Sequence, residues 1–397
     1  MKFIERASLL GLDLERLNNG EVISSLIRIK SIDDFRLLFS DDVSDPDRHL
    51  FSESLHKLSD PVKIKQIPQA TLTRLVDYVH GNGTLSTEDK VFANTIFPIK
   101  AEVISGDKIE INTNQKYGPS AAPYLLNAGN LVFNGGSLTF ENTSASINAD
   151  LLTVLAGGDK PYHIGLLGSV GTTGTTGAIG SSYSGPAAHG TDRSAASPGI
   201  CTGVSSGGTG DDGGDGGNGL PGGAGGNGLP SLSANITITA FDSASTAAFS
   251  IHTQSGVGGS GGSGGQGGAG QDGGRGGNGC DSGCEGTDGG KGGKGGKGGN
   301  GGPGGSGGNG AAGLPITINF PNASRQYLVT NAQSAPAGSG GAGGTFGSGG
   351  KGGSGGSGGK HSTDGADGSP GTSGTAGATG PQGPQSGAPG QFIISYK

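Results

Sequence analysis

The sequence predicts a mixed fold. It has an N-terminal α-helical region over residues 1–95, a short β-strand base over 96–160, and a C-terminal bundle of about six polyglycine-II helices, of the polyproline-II type, over 161–397. Three observations predict it. The chain carries 90 glycines in 397 residues, several times the average usage of about 7%. Those glycines keep a strict period of three. Between the runs stand two apolar segments that resemble each other, NITITAFDSASTAAFSIHT (235–253) and LPITINFPNASRQYLVT (314–330).

In residues 1–95, Leu9, Leu10, Leu14 and Leu17 recur at helical spacing, as do Val22, Ile23, Leu26 and Ile27. Asp33 precedes Phe35, Leu37, Leu38 and Phe39, and Leu72, Leu75, Val76 and Val79 mark a later helix with Gly81 past its end. The first twenty residues carry Glu5, Asp13 and Glu15 among their leucines and read as an amphipathic helix, not a secretory signal. From Ile96 the pattern changes. Lys108-Ile-Glu-Ile-Asn alternates, and Leu131-Val-Phe, Leu138-Thr-Phe and Leu151-Leu-Thr-Val follow at short intervals between Asn and Gly turns. A small sheet and a few coils of a β-solenoid both fit this spacing.

The first glycine run keeps Gly165, Gly168, Gly171, Gly174, Gly177 and Gly180 in phase. Further runs occupy 207–228, 256–279, 289–310, 338–359 and 365–383. A polyproline-II helix has three residues per turn, rises about 3.1 Å per residue and makes no internal hydrogen bonds. Its backbone groups must be satisfied by neighbours, and close approach of backbones demands glycine. A G-G-x run offers two edges to neighbours and suits the interior of a bundle; a G-x-x run offers one and suits the margin. The first and last runs are G-x-x and the inner ones mostly G-G-x. Most runs would be about 65–75 Å long at that rise. A flexible linker and a collagen triple helix are the competing readings; the first tolerates phase errors freely, and the second wants a Pro-rich repeat throughout.

If the runs alternate in direction, the connections 181–202, 280–288 and 360–364 fall at one end and the apolar segments at the other. The loop end then gathers Cys201, Cys280 and Cys284 as a disulfide or a thiol cluster. It also presents Tyr183, His189, Asp192, Arg193, Asp281 and Glu285, polar types suited to recognition on exposed loops.

Other chemistry finds little support. Repeated G-x-G-x-x-G matches arise from composition alone, and Lys291, Lys294 and Lys297 lack the Ser or Thr of a phosphate loop. In the bundle reading these lysines form one solvated edge in phase with Asp212 and Asp215. No metal-ligand spacing, catalytic triad or carboxylate pair emerges, so no enzyme, no cofactor and no metal are expected. The net charge of −7 gives no nucleic-acid footprint, and no apolar stretch approaches the ~18 residues of a transmembrane helix.

The G-G-x runs with polar tips over roughly 165–390 resemble the adhesins at the ends of bacteriophage long tail fibres. That resemblance implies a glycine-rich sandwich whose distal loops bind a host-cell surface protein or glycan. It also implies an attachment partner, a fibre or particle subunit, for residues 1–95. The location it implies is a virion tail fibre, or the extracellular space reached without a Sec signal. The family's aromatic-rich tips are missing here, since Tyr183 is the one aromatic residue of the three expected tip loops. A toxin or a self-assembling surface protein using the runs as a stalk is the alternative. An ice-binding protein is a further one, against which the Lys stripe and the N-terminal region count.

Overall fold

The computed structural model describes residues 2–33, 36, 71, 74, 75, 78, 83–97, 99–120, 122–156, 158–195 and 200–397. Of the expected helical positions, Phe35, Leu37, Leu38, Phe39, Leu72, Val76, Val79 and Gly81 lie outside these residues.

The organising unit is a β coil that visits two sheets in turn. Among the described residues the helices with defined bounds are, in chain order, α1 (Phe3–Leu9), α2 (Leu14–Asn18) and α3 (Thr87–Ile96), with a 3-10 helix at Asn322–Tyr327. The strands are β1 (Ile23–Ile29), β2 (Ile99–Ile111), β3 (Gln115–Tyr117), β4 (Tyr124–Asn134), β5 (Leu138–Glu141) and β6 (Ala145–Ala156). They continue with β7 (Ile164–Leu167), β8 (Ala234–Phe241), β9 (Phe249–Gln254), β10 (Ile316–Phe320), β11 (Leu328–Gln333) and β12 (Phe392–Tyr396). Seven strands form one sheet in the order β1-β2-β4-β6-β8-β10-β12, and five form the other in the order β11-β9-β7-β5-β3. All neighbours are parallel except β1 and β2. Because the strands from β2 onward alternate between sheets, each return to the same sheet adds one parallel rung, which is the geometry of a β-solenoid.

Register makes the repeat explicit. Ile104 pairs with Leu126, Leu126 with Ile147, Ile147 with Ile236, Ile236 with Ile318 and Ile318 with Ile394. The early coils close within a short stretch of chain. The later ones pair just as regularly although a pair of glycine runs intervenes each time. The space between the sheets is filled by one cluster that includes Phe133, Phe140, Leu152, Phe249 and Phe320, each at most 1% exposed. Burying one such side chain contributes roughly 2–3 kcal/mol. The glycine runs supply almost nothing to this core. On the outer side of the seven-stranded sheet, α1 is fastened by Arg6, which pairs with Asp150 at 2.8 Å and donates to Asn127 Oδ1 at 2.7 Å.

One buried group makes the core sensitive to acid. His163 packs against the rings of Phe133 and Phe249, with centroids 5.2 and 6.0 Å away. Its Nδ1 accepts from the Ser250 N–H at 3.0 Å. The proton then sits on Nε2, which finds no partner among the described residues. Burial holds this imidazole below its ordinary pKa, and burial does the same to His252. The unfolded chain therefore takes up protons first, as pH falls through about 6.5. Stability is level above that pH and declines below it. Thermal midpoints measured from pH 7.5 to 5 should fall on the acid side, and His163→Gln should flatten that fall while lowering the midpoint at pH 7.5.

The glycine-rich runs extend this frame outward. The first, third and fifth runs leave the ends of β7, β9 and β11; the second, fourth and sixth return into β8, β10 and β12. Runs of the same set are parallel and bonded edge to edge: Gly171, Gly174, Gly177 and Gly180 donate to the carbonyls of Val257, Ser260, Ser263 and Gln266 at 2.8–2.9 Å. Runs of opposite sets are antiparallel: Gly259, Gly262, Gly265 and Gly268 donate to Gly226, Gly223, Leu220 and Gly217 at 2.8 Å. The chain thus goes out and back three times.

The expected fold class needs correction. Among the described residues the regular secondary structure is an α/β arrangement of twelve strands in two parallel-rich sheets with four short helices of defined bounds, not a helical polyproline-II bundle on a short-strand base. The runs themselves carry neither helix nor strand. Glycine spacing located them but was silent on the segments between, whose coil-on-coil pairing decides the fold. The N-terminal region is not all helical either. Residues 23–29 form β1, antiparallel to β2. Val22 and Leu26 are exposed while Ile23, Ile27 and Ile29 are buried, so the period is two, as β-branched residues on a half-buried strand favour.

Candidate functional site

The three distal turns of the glycine-rich part meet and hold one another. The second turn is a hairpin: Asp281 bridges Gly286, Thr287 N donates to the Cys280 carbonyl at 2.9 Å, and Gly283 takes a positive φ of 79° at the apex. A disulfide joins Cys280 to Cys201 of the first turn, with Cα atoms 6.0 Å apart. Cys284, near the hairpin apex, is a free and exposed thiol. The Thr202 hydroxyl donates to Glu285 Oε1 at 2.7 Å. From the third turn, Lys360 Nζ donates to the Gly283 carbonyl at 2.7 Å, and Thr363 donates its N–H to Asp288 Oδ1 at 2.8 Å. These bonds, first the Thr363 N–H and then its hydroxyl, hold Asp288 below the ordinary carboxylate range.

The first turn begins later than 181. Ala187, Gly190 and Arg193 still donate to Asp272, Arg275 and Asn278 of the third run at 2.8–2.9 Å. The true turn therefore lies beyond Arg193. What interrupts the glycine period is a short bulge after Gly180, spanned by Gln271. Its Oε1 accepts from Gly214 N at 3.0 Å and its Nε2 donates to the Gly185 carbonyl at 3.1 Å.

Tyr183 lies in this bulge, half exposed, with its hydroxyl 2.4 Å from where a Cβ on Gly214 would sit. His189 and Asp192 line the flank of the third run. His189 Nδ1 accepts from Arg275 N at 2.9 Å, and Asp192 accepts from Asn278 N at 2.6 Å and from Arg275 Nη2 at 3.0 Å. The Asn278 N–H first, and Arg275 second, keep the Asp192 carboxyl below its usual range. Arg193 Nε donates to the Ser206 carbonyl at 3.1 Å and so closes the first turn. Asp281 Oδ1 accepts from Gly283 N at 3.1 Å within the hairpin. The structure thus brings Cys201, Cys280, Cys284, Asp281 and Glu285 together at the tip. Tyr183, His189 and Asp192 stand along the side below it.

Sequence reasoning missed Arg275, Asn278, Thr287, Asp288 and Lys360, which complete these contacts. A signal for several of them was present. Asp and Asn at the x position of one run cap the x-position N–H of the next: Asp212 and Asp215 accept from the backbone of Lys294 and Lys297 at 2.7 Å, and Asn218 from Asn300 at 2.8 Å. The acids in phase with the Lys stripe thus bond its backbone. Among the described residues no group of three or more His, Cys, Asp and Glu is placed to hold a metal ion, and no helix is long and apolar enough to cross a membrane.

No family model and no curated protein matches the chain. A solved structure of a springtail antifreeze protein from Granisotoma rainieri, a bundle of nine polyproline type II helices, is similar at 23% identity over 52% of this chain and 94% of that one. Its TM-score of 0.07 supports no argument about fold or function.

Proposed function

We propose that the chain is a non-enzymatic recognition protein whose distal turns contact a host-cell surface protein or glycan. The observation that carries this reading is a partition of charge. The six stretches nearest the sheets, 168–180, 217–229, 256–269, 299–313, 335–348 and 372–390, contain no Asp, Glu, Lys or Arg. The distal stretches of the same runs, with their turns, hold Asp192, Arg193, Asp211, Asp212, Asp215, Asp272, Arg275, Asp281, Glu285, Asp288, Lys291, Lys294, Lys297, Lys351, Lys360, Asp364 and Asp367. Both signs of charge and most hydrogen-bonding side chains therefore sit where three turns are cross-braced. A preorganised polar surface loses little side-chain freedom on binding. In this reading the sheets and the N-terminal residues form the attachment end, facing a fibre or particle subunit.

The test is an exchange confined to the hairpin. Residues 281–286 are replaced by a Gly-Ser hexapeptide, leaving Cys280 and the runs intact. Binding of the labelled chain to a panel of bacterial cells and to a glycan array is then compared with that of the parent. Loss of binding at least about tenfold, with an unchanged thermal midpoint, supports recognition by the tip. Undiminished binding assigns recognition elsewhere and overturns the reading.

A further inference from the structure

The fifth run, 338–359, together with residues 335–337 that lead into it, has an unfilled edge. In the third run the first glycine of each triplet, Gly258, Gly261, Gly264, Gly267, Gly270, Gly273, Gly276 and Gly279, donates its N–H sideways to a carbonyl of the fifth run, at 2.8–3.0 Å. The corresponding glycines of the fifth run abut the sixth run, Gly340 and Gly343 against the carbonyls of Gly380 and Gly377, but no run lies where their N–H groups find a backbone acceptor. At the two ends of the row, side chains in the sixth run or flanking it serve as acceptors. Ser386 Oγ takes Ala337 N at 3.3 Å, Asp367 Oδ1 takes Gly355 N at 2.8 Å, and Asp364 Oδ1 takes Gly358 N at 2.7 Å. Between those caps the N–H groups of Gly340, Gly343, Phe346, Gly349 and Gly352 have no acceptor among the described residues.

Phe346 is the second observation. It is the one residue of this row between the caps that is not glycine, it stands at the centre of the open stretch, and it is 50% exposed. An aromatic ring flanked by backbone donors is a combination that receives extended peptides. Most of the open stretch lies beside the uncharged segments 335–348 and 372–390, with Lys351 and Asp367 at its distal end alone, which disfavours a highly charged ligand.

We propose that this edge is a docking track for an uncharged, proline-rich peptide segment of a partner, laid along the fifth run with Phe346 against its pyrrolidine rings. The period argues for that occupant. Donors recur every three residues, and a polyproline-II peptide presents a carbonyl on the same side every three residues. A proline-rich segment also has carbonyls without N–H groups of its own, so it offers acceptors to a row of donors and leaves no donor unmatched. Its conformation is already extended, which lowers the ordering cost. A β-strand ligand has a period of two and meets the row only at intervals. This track is separate from the tip and does not depend on the function proposed above.

The probe is a fluorescein-labelled nonaproline peptide, with a Gly-Ser nonapeptide as the control, added to the full chain. Saturable binding of the proline peptide and not of the control is expected, with amide exchange at Gly340–Gly352 slowed at least about fivefold and exchange at the tip hairpin unchanged. Phe346→Ala, whose side chain is half exposed, should weaken binding about tenfold with the thermal midpoint retained. Exchange needs no variant and reports on the native edge. Absence of saturation, protection confined to other residues, or an unaffected Phe346→Ala complex overturns the proposal. So does protection of the same amides in the free chain that rises with protein concentration, since a second copy would then occupy the edge.

Discussion

Gly295→Val should unfold the fourth run and with it much of the glycine-rich part. Gly295 lies between the fifth and sixth runs. A Cβ there would stand 2.1 Å from the Gly350 carbonyl oxygen, 2.5 Å from its carbon and 2.8 Å from Gly371 N. All three are backbone atoms, and each is held in turn: Gly350 N donates to Gly296 at 2.9 Å and Gly371 N to Gly350 at 2.8 Å. No side chain is available to swing away, so relief requires two runs to separate, breaking the bonds above and below. The expected cost is about 3 kcal/mol or more, beyond ordinary overpacking because the contact is with backbone on both sides. Lys294→Ala, one residue away, should change stability by no more than about 0.5 kcal/mol, because its side chain is solvated and its N–H remains capped by Asp212. Calorimetric midpoints of the two variants check the contrast. A one-residue insertion beside Gly295 should behave like the valine, since it moves every later donor out of register. The same insertion at the apex of the hairpin, beside Gly283, should be tolerated.

How much of this was legible in the sequence depends on what each signal reports. Period-three glycine reports where backbones approach, and it located the runs. It carries no information about what lies at their ends. The pairing of Ile147 with Ile236, and of Ile236 with Ile318, rests on segments of a few residues separated by long intervals. No local pattern fixes a register over such a distance. The shared Ile-Thr-Ile of 236–238 and 316–318 marked two segments as alike without revealing that they stack. The N-terminal misreading has a different cause. Val22, Ile23, Leu26 and Ile27 fit a helical spacing, yet Ile23, Ile27 and Ile29 are the buried set, and only the presence of β2 decides between the two periods. At the tip, residue types were a fair guide to location for Cys201, Cys280, Asp281 and Glu285. They were a poor one for Tyr183, because a bulge and a turn both interrupt a glycine period in the same way.

Removing the Cys201–Cys280 bridge should have the second large effect, and a divided one. The bridge spans 79 residues of sequence, so its absence frees a long loop in the unfolded chain, worth about 4.5 kcal/mol on the chain-entropy account. Both cysteines are buried, at 3% and 0% exposure. The informative variant is therefore Cys201→Ala with Cys280→Ala, which breaks the link without burying an unpaired hydroxyl. The folded tip retains other ties, from Arg193 to Ser206, from Thr202 to Glu285, and from Thr287 to Cys280. The double variant should accordingly keep its native hydrogen-bond pattern at the tip while the global transition moves to lower temperature. A reducing agent should reproduce that shift in the parent and leave the double variant unchanged. Cys284→Ser should be silent in both conditions, because that thiol is exposed and outside the bridge. Differential scanning calorimetry of the parent and the two variants, each with and without reductant, separates these outcomes. A double variant melting with the parent would mean that the tip opens before the rest of the chain unfolds, so that the bridge constrains a state already detached from the global transition.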